Sequence, residues 1–237
     1  MGWVSIGASV PGPAHLWAGT PCQDAWLPFS YHGGIGIAVA DGLGSKSMSG
    51  FGSRTACRAV AATISAWATK TPSHDAVSEI PALILENWLT LVQPFDSRDA
   101  ATTCLYAFRA HTGMLHLGVL GDGCAAVVST DRSVQLLMAT KDDGFANFTD
   151  ALAPNTQTWQ WNLAAVSESE VTAIVLCTDG IADDLVDAPG FMLELADVIT
   201  ANPGLIATSV LFEMLKNWPV PKHRDDKTIA CLYRELP

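Results

Sequence analysis

Positive charge is scarce in this sequence: 13 Lys and Arg stand against 24 Asp and Glu in 237 residues, a net charge of −11. Nucleic-acid binding needs a basic face for the phosphates, so that class of partner is not expected. A phosphorylated substrate is not excluded, because bound divalent cations reverse the potential locally. Long apolar runs are missing as well, and no stretch could span a bilayer. The opening Met1-Gly2-Trp3-Val4-Ser5 lacks the basic start and apolar run of a secretory signal. The expected setting is therefore the cytoplasm, with no membrane partner. No CxxC occurs: Cys22, Cys57, Cys104, Cys124, Cys177 and Cys231 are dispersed, mostly inside apolar runs. They read as small packing residues rather than a zinc or disulfide framework. Repeats, linkers and low-complexity segments are absent too. With 49% hydrophobic residues, the chain has the composition of a folded protein, expected to form a single domain over 1–237.

The apolar pattern changes period along the chain. Residues 3–10 and 35–40 read as strands, the second buried on both faces because its apolar run barely alternates. From about 48 to 69, Cys57, Val60, Ala61, Ile64 and Trp67 recur at helical spacing, and a second helix is expected over 78–93, with a turn at Pro72-Ser73 between them. Short strands follow, over 103–110, 115–119, 125–129 and 134–138, with turns spaced as in an antiparallel meander. Residues 141–158 read as a loop or flap. Trp159–Leu163 and Val171–Cys177 read as further strands, with Trp159 and Trp161 sharing one face. Asn202-Pro203 reads as a helix start, and 228–233 as a last strand. The expected class is α+β: packed sheets with helices outside.

Five acidic signatures punctuate this pattern: Gln23-Asp24, Asp41-Gly42, Gly121-Asp122-Gly123, Thr178-Asp179-Gly180 and Arg224-Asp225-Asp226-Lys227-Thr228. Most sit where an apolar run stops. Carboxylates at neighbouring strand ends can converge, and hard divalent cations prefer such oxygen ligands. Two such cations side by side need a carboxylate between them, and together they acidify a water that can attack phosphorus in line. No enzyme nucleophile is needed, in keeping with the lack of an arginine-cysteine phosphatase loop. Asp142-Asp143, Asp184 and Asp187 read as solvated charge.

In this order the signatures resemble the metal-dependent type 2C protein phosphatases, as a small bacterial-type member, over nearly the whole chain. The resemblance implies an α-β-β-α sandwich with two mainly antiparallel sheets, two Mn²⁺ or Mg²⁺ ions, and a third in some members. It implies hydrolysis of phosphoserine and phosphothreonine in proteins, opposing a Ser/Thr kinase. Asp41 matches the bridging carboxylate, Gly42 the carbonyl ligand, and Asp179 and Asp225 further ligands. Asp24, expected with Asp41 to be catalytic and a metal ligand, matches the acidic partner of a Glu-Asp pair whose glutamate is Gln23 here, offering a carbonyl but no charge. Asp183 and, with an alignment loose by a few residues, Asp99 match third-metal positions. Asp122, Asp226 and Thr228 are expected to support the ligands from behind. Two departures stand out. The family's phosphate-gripping arginine before the acidic pair is missing, leaving His15 as the donor nearest that position and Arg54 as a lesser candidate. Leu43 stands where some members carry a histidine able to protonate the leaving group. Two alternatives follow: a catalytically weak phospho-binding regulator, or a phosphatase of a small phosphorylated molecule.

Overall fold

The computed structural model describes residues 2–69, 74–139, 149–202 and 204–235. In chain order the elements are β1 (Trp3–Val10), α1 (Pro13–Ala18), β2 (Asp24–Tyr31), β3 (Gly34–Asp41), α2 (Ser49–Thr69), α3 (Ile80–Leu91), β4 (Cys104–Arg109), β5 (Met114–Leu120), β6 (Cys124–Ser129), β7 (Val134–Met138), β8 (Asn162–Ser167), β9 (Val171–Cys177), α4 (Asp179–Ala182), α5 (Ala188–Ala201), α6 (Leu205–Lys216) and β10 (Lys227–Arg234). They form two five-stranded sheets, ordered β1-β10-β9-β6-β7 and β2-β3-β4-β5-β8. Every neighbouring pair is antiparallel.

The period-2 alternation of side chains explains the layers. On β3, Ile37 and Val39 face the other sheet and meet Leu105, Leu117, Ile174 and Leu232 in the central core. Ala38 and Ala40 face outward, where α2 and α3 cover them with Val60, Ile64, Ile84 and Trp88. Small residues there let the helices approach closely. The other sheet is covered in the same way: Val175, Cys177, Cys231 and Tyr233 pack beneath Met192, Leu195 and Ile199 of α5 and Leu211 and Leu215 of α6. The doubly buried strand and the α-β-β-α layering match the sequence expectation.

Several local expectations need correction. The strands over 104–138 are not one meander. β4 and β5 pair in one sheet, β6 and β7 in the other, and Gly121-Asp122-Gly123 carries the chain across between them. β2 went unread because Pro28 interrupts it; β2 is an edge strand, where a missing N–H costs no ladder bond. α1 is too short to show a helical period. Trp159 lies in a 3₁₀ turn, 79% exposed, while Trp161 is buried against Tyr106. Asn202 ends α5, and α6 starts after Gly204. Neither Asp184 nor Asp187 is merely solvated. Asp184 accepts from the Trp218 indole at 2.8 Å and faces the buried Lys227 ammonium at 3.5 Å, and Asp187 caps α5 through the Gly190 N–H. The Pro72-Ser73 turn, Pro203 and residues 141–148 of the 141–158 loop, with Asp142-Asp143, lie outside the described residues.

Candidate active site

Antiparallel register brings the acidic signatures to one end of the sandwich. Asp24 opens β2 directly opposite Asp41, which closes β3. In the other sheet, Cys177 at the end of β9 pairs with Ile229 near the start of β10, so Asp179 and Asp225 flank the same edge. The result is a cleft of about 220 Å³ between the sheet ends, lined by Asp41, Gly42, Asp122, Asp179 and Asp225, with His15, Gln23, Leu43, Thr103 and Thr149 around them.

Crowding of like charge at low hydration is the dominant electrostatic fact here. Burial, then repulsion from Asp24, Asp179 and Asp225, holds the Asp41 carboxyl well above the usual range. Asp24 is pushed up to about 7 by burial, offset in part by hydrogen bonds from Asp41, Thr228 and Thr178. Asp179 rises to about 6, by burial and then by repulsion from Asp122 and Asp225. Among the described residues, no three His, Cys, Asp or Glu side chains are gathered tightly enough to hold an ion as they stand. The donors are hard oxygens, and a divalent cation between them would relieve the repulsion, so the residues fit such an ion.

Not every expected residue reaches the cleft. The Asp24 side chain does not line it: only 6% exposed, it accepts from Thr178 Oγ1 at 2.9 Å and sits behind Asp41. Gln23, one residue earlier on the chain, is the one that lines the cleft. Asp183 and Asp99 are exposed and outside the lining. Asp183 still contributes to the repulsion felt by Asp179, whereas the Asp99 carbonyl accepts from Met48 N–H. Asp122 crosses between the sheets and accepts from Thr149 Oγ1 at 2.6 Å, so it is more than a turn former. Thr228 Oγ1 lies 2.7 Å from Ser9 Oγ and also hydrogen-bonds the Asp24 carboxyl, so it supports the site from behind as expected.

Asp226, 1% exposed, anchors one lip of the cleft. Its carboxyl accepts from Gly12 N–H at 2.7 Å, from Gln23 N–H at 2.6 Å, and from His15 Nδ1 at 2.7 Å. That contact leaves Nε2 as the ring nitrogen of His15 available to a ligand. Two hydroxyls that sequence reasoning passed over fix the Asp41 backbone. Thr103 Oγ1 accepts its N–H at 2.9 Å, and Thr102 Oγ1 donates to its carbonyl at 2.7 Å. The only signal for them was a Thr-Thr pair opening a strand. Glycine sets the spacing of the other ligand segments. A Cβ on Gly180 would fall 2.0 Å from the Asp226 carbonyl oxygen, and one on Gly12 would fall 2.2 Å from the Asp225 carbonyl carbon. The Asp225-Asp226 segment is thus clasped from two sides.

The sequence profile of protein phosphatase 2C matches residues 11–216, a span holding every residue that lines the cleft except Asp225. The chain belongs to the protein phosphatase 2C family. This 2C phosphatase also shares its fold with solved structures at low identity. The photosystem II phosphatase PBCP has 18% identity and a TM-score of 0.66, with 99% of each chain covered. The serine/threonine phosphatase Stp1 from Staphylococcus aureus has 13% identity and a TM-score of 0.68, covering 100% of this chain and 96% of that one. RsbX, solved in complex with magnesium, has 13% identity and a TM-score of 0.61, covering 98% and 94%. No curated protein matches the sequence at a significant level. Among the described residues of this 2C phosphatase, no helix is long and apolar enough to cross a membrane.

Proposed function

We propose that this 2C phosphatase hydrolyses phosphoserine and phosphothreonine in proteins, as one cytoplasmic catalytic domain over 1–237 that holds two Mn²⁺ or Mg²⁺ ions in the acidic cleft. Asp41, Asp179 and Asp225 converging in one cleft, with Asp41 and Asp179 titrating high, is the observation that carries the reading. The magnesium bound by RsbX supports the choice of ion. When bound, such ions acidify a water and offset charge on phosphate oxygens. Asp41 would stand between them, Asp179 and Asp225 would complete the carboxylate set, and the Gly42 carbonyl would add a neutral donor. Asp24 holds Asp41 from behind. His15, oriented through Nδ1 by Asp226, offers Nε2–H in its protonated form to a phosphate oxygen, in place of the missing arginine. Leu43 cannot move a proton, so the leaving group draws one from water. The expected partners are a phosphoprotein and the Ser/Thr kinase that phosphorylates it.

The test is hydrolysis of para-nitrophenyl phosphate and a phosphothreonine peptide by metal-stripped protein. Manganese is expected to restore both activities, with magnesium less effective; no turnover under any ion would overturn the reading. A binding-only role, suggested by Gln23 and the missing arginine, is not favoured, since Asp24, Asp41, Asp179 and Asp225 are all retained. A second prediction concerns the clasp. Gly180→Ala should force the Asp179 and Asp225 segments apart and raise the manganese concentration for half-maximal activity about tenfold. An unchanged metal requirement would show that this contact does not set ligand spacing.

A further inference from the structure

A second groove, of about 380 Å³, adjoins the acidic cleft and shares Leu43 and Thr149 with it. Its walls include the apolar Ala101, Ala153 and Pro154 and two cations, Lys46 and Arg98. Lys46 follows the Asp41-Gly42 loop, its N–H bonded to the Leu43 carbonyl at 2.8 Å. Arg98 lies in a 3₁₀ turn fixed by Asp96, which accepts the Arg98 backbone N–H at 2.9 Å. The groove's own acid, Asp150, is engaged by the Gln160 amide.

What sets these two cations apart is their place beside the cleft together with their freedom from carboxylates, a freedom that Arg54, Arg58, Lys222 and Arg224 share elsewhere among the described residues. Arg109, Arg132, Lys216 and Lys227 each face a carboxylate. Among the described residues, Lys46 and Arg98 form no ion pair. In a molecule of net charge −11, an acidic substrate segment is repelled from most of the surface. Two uncommitted cations beside the reaction cleft make this groove the exception, and its apolar floor suits the methylenes of a long acidic side chain.

We propose that this groove is a specificity subsite for an acidic group, either a carboxylate or a second phosphate, carried on the phosphoprotein a few residues from the phosphate being removed. The inference rests on the phosphatase reading above and adds the class of protein it prefers. The subsite contributes to binding and leaves the chemistry alone, so its signature is a KM effect confined to substrates long enough to reach it.

Three phosphothreonine peptides test this, identical except for alanine, glutamate or phosphoserine (as its non-hydrolysable phosphonate, so that only the threonine phosphate is removed) at the flanking positions, with para-nitrophenyl phosphate as a substrate too small to reach the groove. For the wild type, the glutamate and phosphoserine peptides are expected to show KM about five-fold below the alanine peptide, a preference that shrinks with added salt. Comparison of the two acidic peptides tells which anion is favoured. Lys46→Ala with Arg98→Ala should erase the preference while para-nitrophenyl phosphate turnover stays unchanged, and Lys46→Arg with Arg98→Lys should restore it. Equal KM for all three peptides in the wild type, or a preference that survives the double alanine variant, would overturn the proposal. Should the wild type hydrolyse nothing, the phosphatase reading fails separately. The subsite is then judged by peptide Kd, where equal values for the glutamate and alanine peptides reject it.

Discussion

Asp41→Asn is expected to lower turnover by on the order of a thousandfold, because the group between the two proposed ions keeps its shape and loses its charge. Steady-state hydrolysis of para-nitrophenyl phosphate at saturating manganese reads this directly, and near-normal activity would sink the two-ion assignment. The same substitution should act in the opposite direction on stability when metal is withheld. Asp41 is half-buried beside Asp24, Asp179 and Asp225, and its carboxyl is held well above the usual range. With Asp24 at about 7 and Asp179 at about 6, the folded protein retains protons that the unfolded chain releases above about pH 4. Stability from these groups is present at acid pH and is lost as pH rises through 6 to 7. In chelator, the variant should therefore match wild type near pH 4 and exceed it by about 2 kcal/mol, roughly 4–8 °C in Tm, at pH 8. Taking the difference between variant and wild type cancels carboxylates that titrate alike in both. A variant no more stable than wild type at pH 8 would mean that the crowding is relieved without metal.

Asp226→Ala should produce the largest loss of stability of any single change in the cleft's supports. Its carboxyl satisfies Gly12, Gln23 and His15 at once while 1% exposed, so truncation strands donors where water reaches poorly. Breaking a buried charge-assisted cluster costs about 3–5 kcal/mol, which for a chain of this size lowers Tm by roughly 10 °C. No residue of α1 is buried, and beyond Asp226 its start is tied down by the bond from Ala14 N–H to the Arg224 carbonyl. The helix should come loose and take His15 with it, raising KM for small phosphomonoesters. His15→Ala separates the two roles: it should share the KM effect with little change in Tm. Equal losses of Tm in both variants would show that the histidine, and not the carboxyl, holds the lip.

What could be read beforehand and what could not differ for physical reasons. β3 and α2 were legible because burial on both faces and a long amphipathic period leave strong patterns in the sequence. β2 was not, because an edge strand tolerates Pro28 and needs no clean alternation. Asp41, Asp179 and Asp225 announced themselves at strand ends, and the structure brings all three to one cleft. Asp24 stood out equally in sequence, yet register sets it behind Asp41. One-dimensional spacing does not say which of two adjacent residues, Gln23 or Asp24, faces the opening. Thr102 and Thr103 were invisible as functional residues, since their role is to bond the backbone of a residue about sixty positions earlier. The crossing at Gly121-Asp122-Gly123 looked like a hairpin because a tight turn has the same residues whether the next strand pairs locally or leaves for another sheet.

The pairing of β1 with β10, Trp3 opposite Arg234 through Val10 opposite Lys227, has a consequence for how the molecule is made. As the chain leaves the ribosome, the sheet carrying Asp24 and Asp41 has all its strands once Ser167 has emerged. The other sheet cannot close at that point, because the slot between β1 and β9 is filled by β10, which follows all the other strands described here in sequence. Asp225 arrives only with that strand. A chain cut short before Asp225 therefore lacks both the strand between β1 and β9 and one of the three carboxylates that meet in the cleft.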